Sequence, residues 1–330
     1  VLWRVGVERD IVTLVRLSFF LFTAAALSAA DFPSAEITNG QITAKLLLPD
    51  PVNGYYRGTR FDWSGNMPSL RTKHHEYFGQ WFEKYDPQLH DAIMGPVEEF
   101  KTNNAGLGYD EANPGGSFVR IGVGVVRKPE EKGYQNFKTY EILDPGKWTV
   151  KTGRDRISFT HVLSGPNGYS YRYTKLIVLV KGKSTMRIVH LLENTGRKAI
   201  ATQQYNHNFF MIDGQPTGPE SVVQFPFELQ TTKAFQNNLA EPRGKEIRYT
   251  AELKKGESTY GEFAGAPVYD VRMENRKAKA GVHIRGDVPI AKLVYWSIRS
   301  TFCPEPYIDI AVEPGKKTRW IYTYDFYDIP

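Results

Sequence analysis

The chain reads as an all-β protein, a large antiparallel β-sandwich with few short helices, and three observations predict it. Runs of β-branched and aromatic residues recur between turn pairs such as Asn39-Gly40, Asn53-Gly54, Pro145-Gly146, Asn167-Gly168, Asp213-Gly214 and Pro314-Gly315. Glycine (29), proline (20), tyrosine (19) and phenylalanine (19) are all plentiful, a mixture that suits short strands and tight turns better than a helical bundle. Of 330 residues, 41% are apolar and 24% charged, so a substantial core can form and global disorder is excluded.

In chain order, the pattern predicts strands over 37–48, 118–126, 148–162, 169–180, 184–192, 199–211 and 222–229, then 246–253, 268–274, 292–299, 307–312 and 318–326. Most are joined by hairpin-length links, which favours a sandwich or barrel over alternating β and α units. A helix is expected only around 69–82. No fixed-period repeat, low-complexity tract or linker divides the sequence, so residues 31–330 read as one domain. Gly122 and Gly124 lack the third glycine and following helix of a dinucleotide loop, and read as small residues within a strand.

Residues 1–30 read differently. Arg4, Arg9 and Arg16 precede an apolar run over 17–27 and the small residues Ser28-Ala29-Ala30, the pattern of a secretory signal peptide with cleavage expected after Ala30. The run falls well short of the ~20 residues that span a bilayer. Cys303 stands alone, so an intrachain disulfide is excluded, and an exported protein without one suits a bacterial periplasm or exterior. The formal charge of +6 is spread among acids. The densest basic stretch, Arg276-Lys277-Ala278-Lys279, is short and has no flanking aromatics, so no nucleic-acid partner is expected, and no membrane partner after signal cleavage.

Candidate chemistry centres on 193–213. After the turn at Asn194-Thr195-Gly196, strand alternation puts Tyr205, His207 and Phe209 on one face and Asn206, Asn208 and Phe210 on the other. His74 and His75 are adjacent, point in different directions, and lack a spaced metal-ligand partner. No GxSxG elbow occurs, and Cys303 alone does not make a nucleophile.

An asparagine-containing turn followed by a strand closing on His207-Asn208-Phe209-Phe210 resembles the galactose mutarotase (aldose 1-epimerase) superfamily. That resemblance implies its supersandwich fold and makes His207 the general acid. Near the C-terminus, Phe302-Cys303-Pro304-Glu305-Pro306, then a strand, the Pro314-Gly315 turn and a final strand, match the family's placement of its catalytic base, implying that role for Glu305; Glu313 is the lesser rival. The segment 54–65 resembles an early family segment whose basic residue reaches substrate hydroxyls, which implies Arg60. His90, in Leu89-His90-Asp91, is the nearest counterpart of the family's first histidine, with His74 or His75 as alternatives.

The implied reaction opens a pyranose to its aldehyde, rotates about C1–C2 and closes on the other face, which needs one proton donor and one acceptor at the anomeric centre. Widely separated chain positions would place them on opposite sides of that centre. No cofactor and no metal are expected. Glu98 or Glu99, Tyr205 and Asn206 would bind sugar hydroxyls or ring faces, as would Trp63, Trp81 or Tyr55. The expected partner is a small sugar or glycan. The other readings are a non-catalytic carbohydrate-binding or sensing protein on the same scaffold, and a polysaccharide lyase or glycosidase, for which no second acid–base motif is present.

Overall fold

Alternation of inward and outward side chains builds two large antiparallel sheets. In the computed structural model, which describes residues 32–330, the strand Ser170–Leu179 illustrates the rule: Tyr171, Tyr173, Lys175, Ile177 and Leu179 are buried, while Arg172 between them is exposed. The expected signal peptide lies outside the described residues. A ten-stranded sheet has its centre in Ala280–Gly286, Lys317–Asp328, Thr185–Asn194 and Ser170–Leu179. A six-stranded sheet runs in the order Thr231–Lys233, Ser258–Ala266, Ile290–Ile298, Thr301–Val312, Ile200–Phe209 and Gly95–Lys101. Two three-stranded sheets flank them, and Phe32–Pro330 forms one compact unit.

The two large sheets meet face to face across a core that mixes apolar and polar groups. From the ten-stranded sheet, the Tyr322 hydroxyl donates to Gln204 Oε1 (2.5 Å) and the Tyr324 hydroxyl to Asn208 Oδ1 (2.9 Å). Lys175 reaches across to Asp62 (2.7 Å) and to Glu98, and His190 Nε2 lies 2.9 Å from Glu98 Oε1. All four of these charged or titratable residues are fully buried, so each is stable there only through its partners.

The structure corrects the sequence reading at several elements. No helix forms over 69–82. Asn66–Arg71 is a strand paired with Thr43–Leu47, and the neighbours Tyr77 and Phe78, in irregular backbone, point apart, Tyr77 onto Phe326 and Phe78 onto Phe210. The only helical elements among the described residues are the single 3₁₀ turns Pro166–Gly168 and Ile212–Gly214. The run 37–48 breaks into the hairpin Ser34–Thr38 and Thr43–Leu47, because Asn39 Oδ1 accepts the amides of Gln41 and Ile42. Gly95–Lys101 was not expected as a strand, since it carries Pro96 and two glutamates. It lies at a sheet edge, where proline is tolerated, and its acids are neutralised from both sides.

Gly122 and Gly124 mark a turn, not a strand interior. They close the hairpin Ser117–Arg120 and Gly124–Arg127, with Gly122 at φ +78°. A Cβ on Gly122 would stand 2.6 Å from that of Asp62. Gly122→Ala therefore carries both left-handed backbone strain and a clash, and is expected to cost at least 1–3 kcal/mol, roughly, in urea unfolding.

Candidate active site

One register lines up the chemistry. Tyr205 lies opposite Tyr307, and Phe210 bridges to Phe302, so the same register sets His207 opposite Glu305 on the neighbouring strand. On the next strand Glu305 faces Val294, and on the other side His207 faces Val97. Glu305 thus sits within the long strand Thr301–Val312 rather than in a segment preceding it. His207 Nε2 and Glu305 Oε1 are 3.2 Å apart, and both side chains are almost wholly buried.

The face that carries this pair floors a cavity of about 240 Å³. Tyr205, His207 and Phe209 all line it, while Asn206 and Asn208 turn to the other sheet and Phe210 stacks on Phe78, as alternation predicts. The His207 ring stacks on Phe209 at 3.9 Å and meets the edges of Phe61 and Trp296. Its Nδ1 is buried with no hydrogen-bond partner among the described residues.

Arg60 lines the cavity and ties its wall together. It donates through Nε to Glu99 (3.1 Å) and through Nη2 to the Tyr205 hydroxyl (3.1 Å), and it pairs with Asp91. The Tyr205 hydroxyl donates to Glu99 in turn (2.5 Å), and Arg120 closes the network from behind with a 2.8 Å bond to the other Glu99 oxygen. Burial opposes ionisation of Glu99, but Lys101, Arg120 and Arg60 outweigh it and hold that carboxyl at about 2. Asp91 is held at about 2 likewise, its burial overcome by Arg60 and His90.

The central pair departs the other way. Burial pushes Glu305 up to about 8, against the pull of Arg60 and Lys101. Burial also drives His207 well below the usual histidine range, and the Arg60 charge adds to the effect.

Other sequence candidates fall elsewhere. Glu98 and Asn206 do not line the cavity: both point to the opposite face, where Asn206 Nδ2 donates to Glu98 (3.1 Å) beside Lys175 and His190. Their parity in the strand decides this, and Glu99 stands on the site face instead. His90 stays behind the wall with Nε2 2.9 Å from Asp91, its ring against Phe137. His74 and His75 pair with Asp328 and Asp213, and none of the four lines the cavity. Trp81 lines the cavity, stacked on Phe209, whereas Trp63 stacks on Trp148 and Tyr55 on Tyr85 away from it. Asp91, Lys101, Tyr260, Trp296 and Tyr307 were not anticipated, and Glu99 was offered only as the alternative to Glu98; a strand assignment over Gly95–Lys101 would have separated Glu99 and Lys101 from Glu98 by alternation alone. Among the described residues no group of three or more His, Cys, Asp or Glu is placed to hold a metal ion.

The large antiparallel sheets, with few helical residues, match a galactose mutarotase-like sandwich. No family model matches the chain, and no curated protein matches it by sequence. Solved structures do match. A galactose mutarotase related enzyme from Lactobacillus acidophilus shares 12% identity over 90% of this chain and 99% of that one, with a TM-score of 0.55. A galactose mutarotase-like protein from Clostridium acetobutylicum shares 14% over 91% and 100%, also at 0.55. The GalM/aldose epimerase homologue from C. elegans shares 13% over 90% and 99%, at 0.52. The likeness at these identities is one of fold.

Proposed function

We propose that this protein is a carbohydrate-active isomerase of the aldose 1-epimerase type, interconverting sugar anomers, and that it acts as an exported protein in the periplasm or outside the cell. The observation that carries the activity is the His207–Glu305 pair: two titratable groups in direct contact on the floor of a cavity with room for a single small ring.

The ring oxygen and the C1 hydroxyl are attached to the same carbon, so a donor and an acceptor that touch each other can serve both. The two groups therefore need not stand on opposite sides of the anomeric centre. In the resting pair the proton sits on Glu305 and His207 is neutral, the reverse of the roles that the resemblance implies. On this reading Glu305 protonates the ring oxygen as the C1–O bond breaks, and His207 takes the C1 hydroxyl proton as the aldehyde forms. After rotation about C1–C2, the imidazolium returns its proton to the aldehyde oxygen. The ring hydroxyl attacks C1 and gives its proton back to Glu305. Arg60, with its donors committed to Glu99, Asp91 and Tyr205, positions the wall and keeps positive charge near the pair.

Anomer exchange measured by NMR on freshly dissolved, anomerically pure sugars tests the proposal. Exchange faster than in buffer is expected; binding with exchange at the buffer rate would replace the enzyme by a sugar-binding protein. The working state of the pair carries one proton, whichever partner holds it. The rate should therefore fall about tenfold per pH unit above about 8, as Glu305 loses that proton, and fall again in acid as His207 gains a second one.

A further inference from the structure

The cavity wall carries a cation that no carboxylate pairs with directly among the described residues, although its charge helps to hold Glu99 ionised. Arg60 is committed to Asp91 and Glu99, and Arg120 to Glu99. Lys101 also lines the cavity, half-buried, yet no carboxylate among the described residues lies within 4 Å of its Nζ. Glu99, two residues away on the same face, has its oxygens taken by Arg60, Arg120 and Tyr205. Asp309, on the strand beyond Gln203, accepts from the Gln203 amide at 2.9 Å.

A second cation stands nearby. Lys292 lies opposite Tyr307 in the sheet, with its Nζ 4.3 Å from the centre of that ring, and Tyr307 stacks on Tyr205 in the cavity wall. It too has no carboxylate within ion-pair distance among the described residues. Lys101, level with Gln203, and Lys292, level with Tyr307, are thus displaced in the same direction along the sheet from His207 and Glu305. Lys101 is four residues along the strand from Val97, which faces His207; at roughly 3.3 Å per residue that is about 13 Å of strand. An ammonium partly removed from water and left without a direct ion-pair partner is unfavourable, and a ligand of opposite charge relieves that cost.

We infer that the substrate of this site is an anionic sugar, with a carboxylate or phosphate on the part of the ring remote from C1, and that Lys101 is its counter-ion with Lys292 in support. This rests on reading His207 and Glu305 as the anomeric end. A neutral aldose would leave both lysines unmatched.

Titration calorimetry at pH 7 with glucuronate, galacturonate, glucose 6-phosphate and glucose tests this. At least one anionic sugar should bind tenfold or more tighter than glucose, and that margin should shrink at 0.5 M salt, roughly a 4 Å screening length. Preference among the three assigns carboxylate or phosphate. Lys101→Met should remove most of the margin and Lys101→Arg should keep it; Lys292→Met should reduce it by less. Glucose binding as tightly as all three anions, or Lys101→Met weakening glucose and the anions by one common factor, would overturn the inference. Because calorimetry reads binding alone, anion-selective binding without faster anomer exchange would sink the isomerase reading and leave this one standing. Faster exchange of glucose without an anion preference would do the opposite.

Discussion

Glu305→Gln and His207→Ala are each expected to lower the rate of anomer exchange by about 10²–10⁴-fold while leaving the fold intact. Each removes one end of the proposed proton relay on the cavity floor. The double variant should be little worse than either single one, since the two act as a unit. A stability measurement separates loss of chemistry from loss of structure. Glu305 is raised to about 8 by burial, so the unfolded chain gives up this proton first as pH rises. The wild-type protein therefore loses stability between about 4.5 and 8, by up to roughly 5 kcal/mol at 1.36 kcal/mol per pH unit. Glu305→Gln has no such ionisation and should gain on the wild type across that window, with the difference level above pH 8. A glutamine variant that lost stability equally at pH 5 and pH 9 would mark Glu305 as a packing residue.

The second large effect lies beneath the site. Lys175→Met is expected to destabilise the protein by about 3–5 kcal/mol in urea unfolding at neutral pH, because it leaves Asp62 and Glu98 buried together without their shared cation. In the native cluster burial opposes the charge on Glu98, but Lys175 and His190 outweigh it and lower its pKa. That contribution is present above the usual carboxylate range and is lost as pH falls through the depressed value. In the variant the sign reverses: the carboxylates then resist ionisation, and acid restores part of the stability. Adding Glu98→Gln to Lys175→Met should recover some of the loss at pH 7 by removing one uncompensated charge. A double variant no better than the single would show that shape, not charge, holds this layer.

The cluster matters to function through parity. Glu98 and Asn206 anchor the edge strand and the His207 strand to the ten-stranded sheet, while their neighbours Glu99 and His207 face the cavity. A single residue of slip along either strand would exchange the two sets. Sequence reading chose the correct face for Tyr205, His207 and Phe209, since that strand alternates clearly. It could not choose between Glu98 and Glu99, because the run from Gly95 to Lys101 holds a proline and two acids and lacks the apolar alternation that marks a strand. The missing helix at 69–82 has a related cause: its aromatic spacing suits more than one period, and pairing with Thr43–Leu47 decides for extended backbone.

What the sequence by itself determined is local and periodic. Turn pairs and alternating runs specify an all-β chain, and the residues around His207 and Glu305 mark the two strands that carry the proposed acid–base pair. Tertiary structure alone decided that those strands are neighbours in one register, bringing His207 within 3.2 Å of Glu305 although nearly a hundred residues separate them in the chain. It also set the opposite pKa shifts of that pair, the commitment of Arg60 and Arg120 to Glu99, and the lack of a direct ion-pair partner for Lys101 among the described residues. Each depends on burial and on charges brought from distant segments, and both arise only when the sheets close on one another.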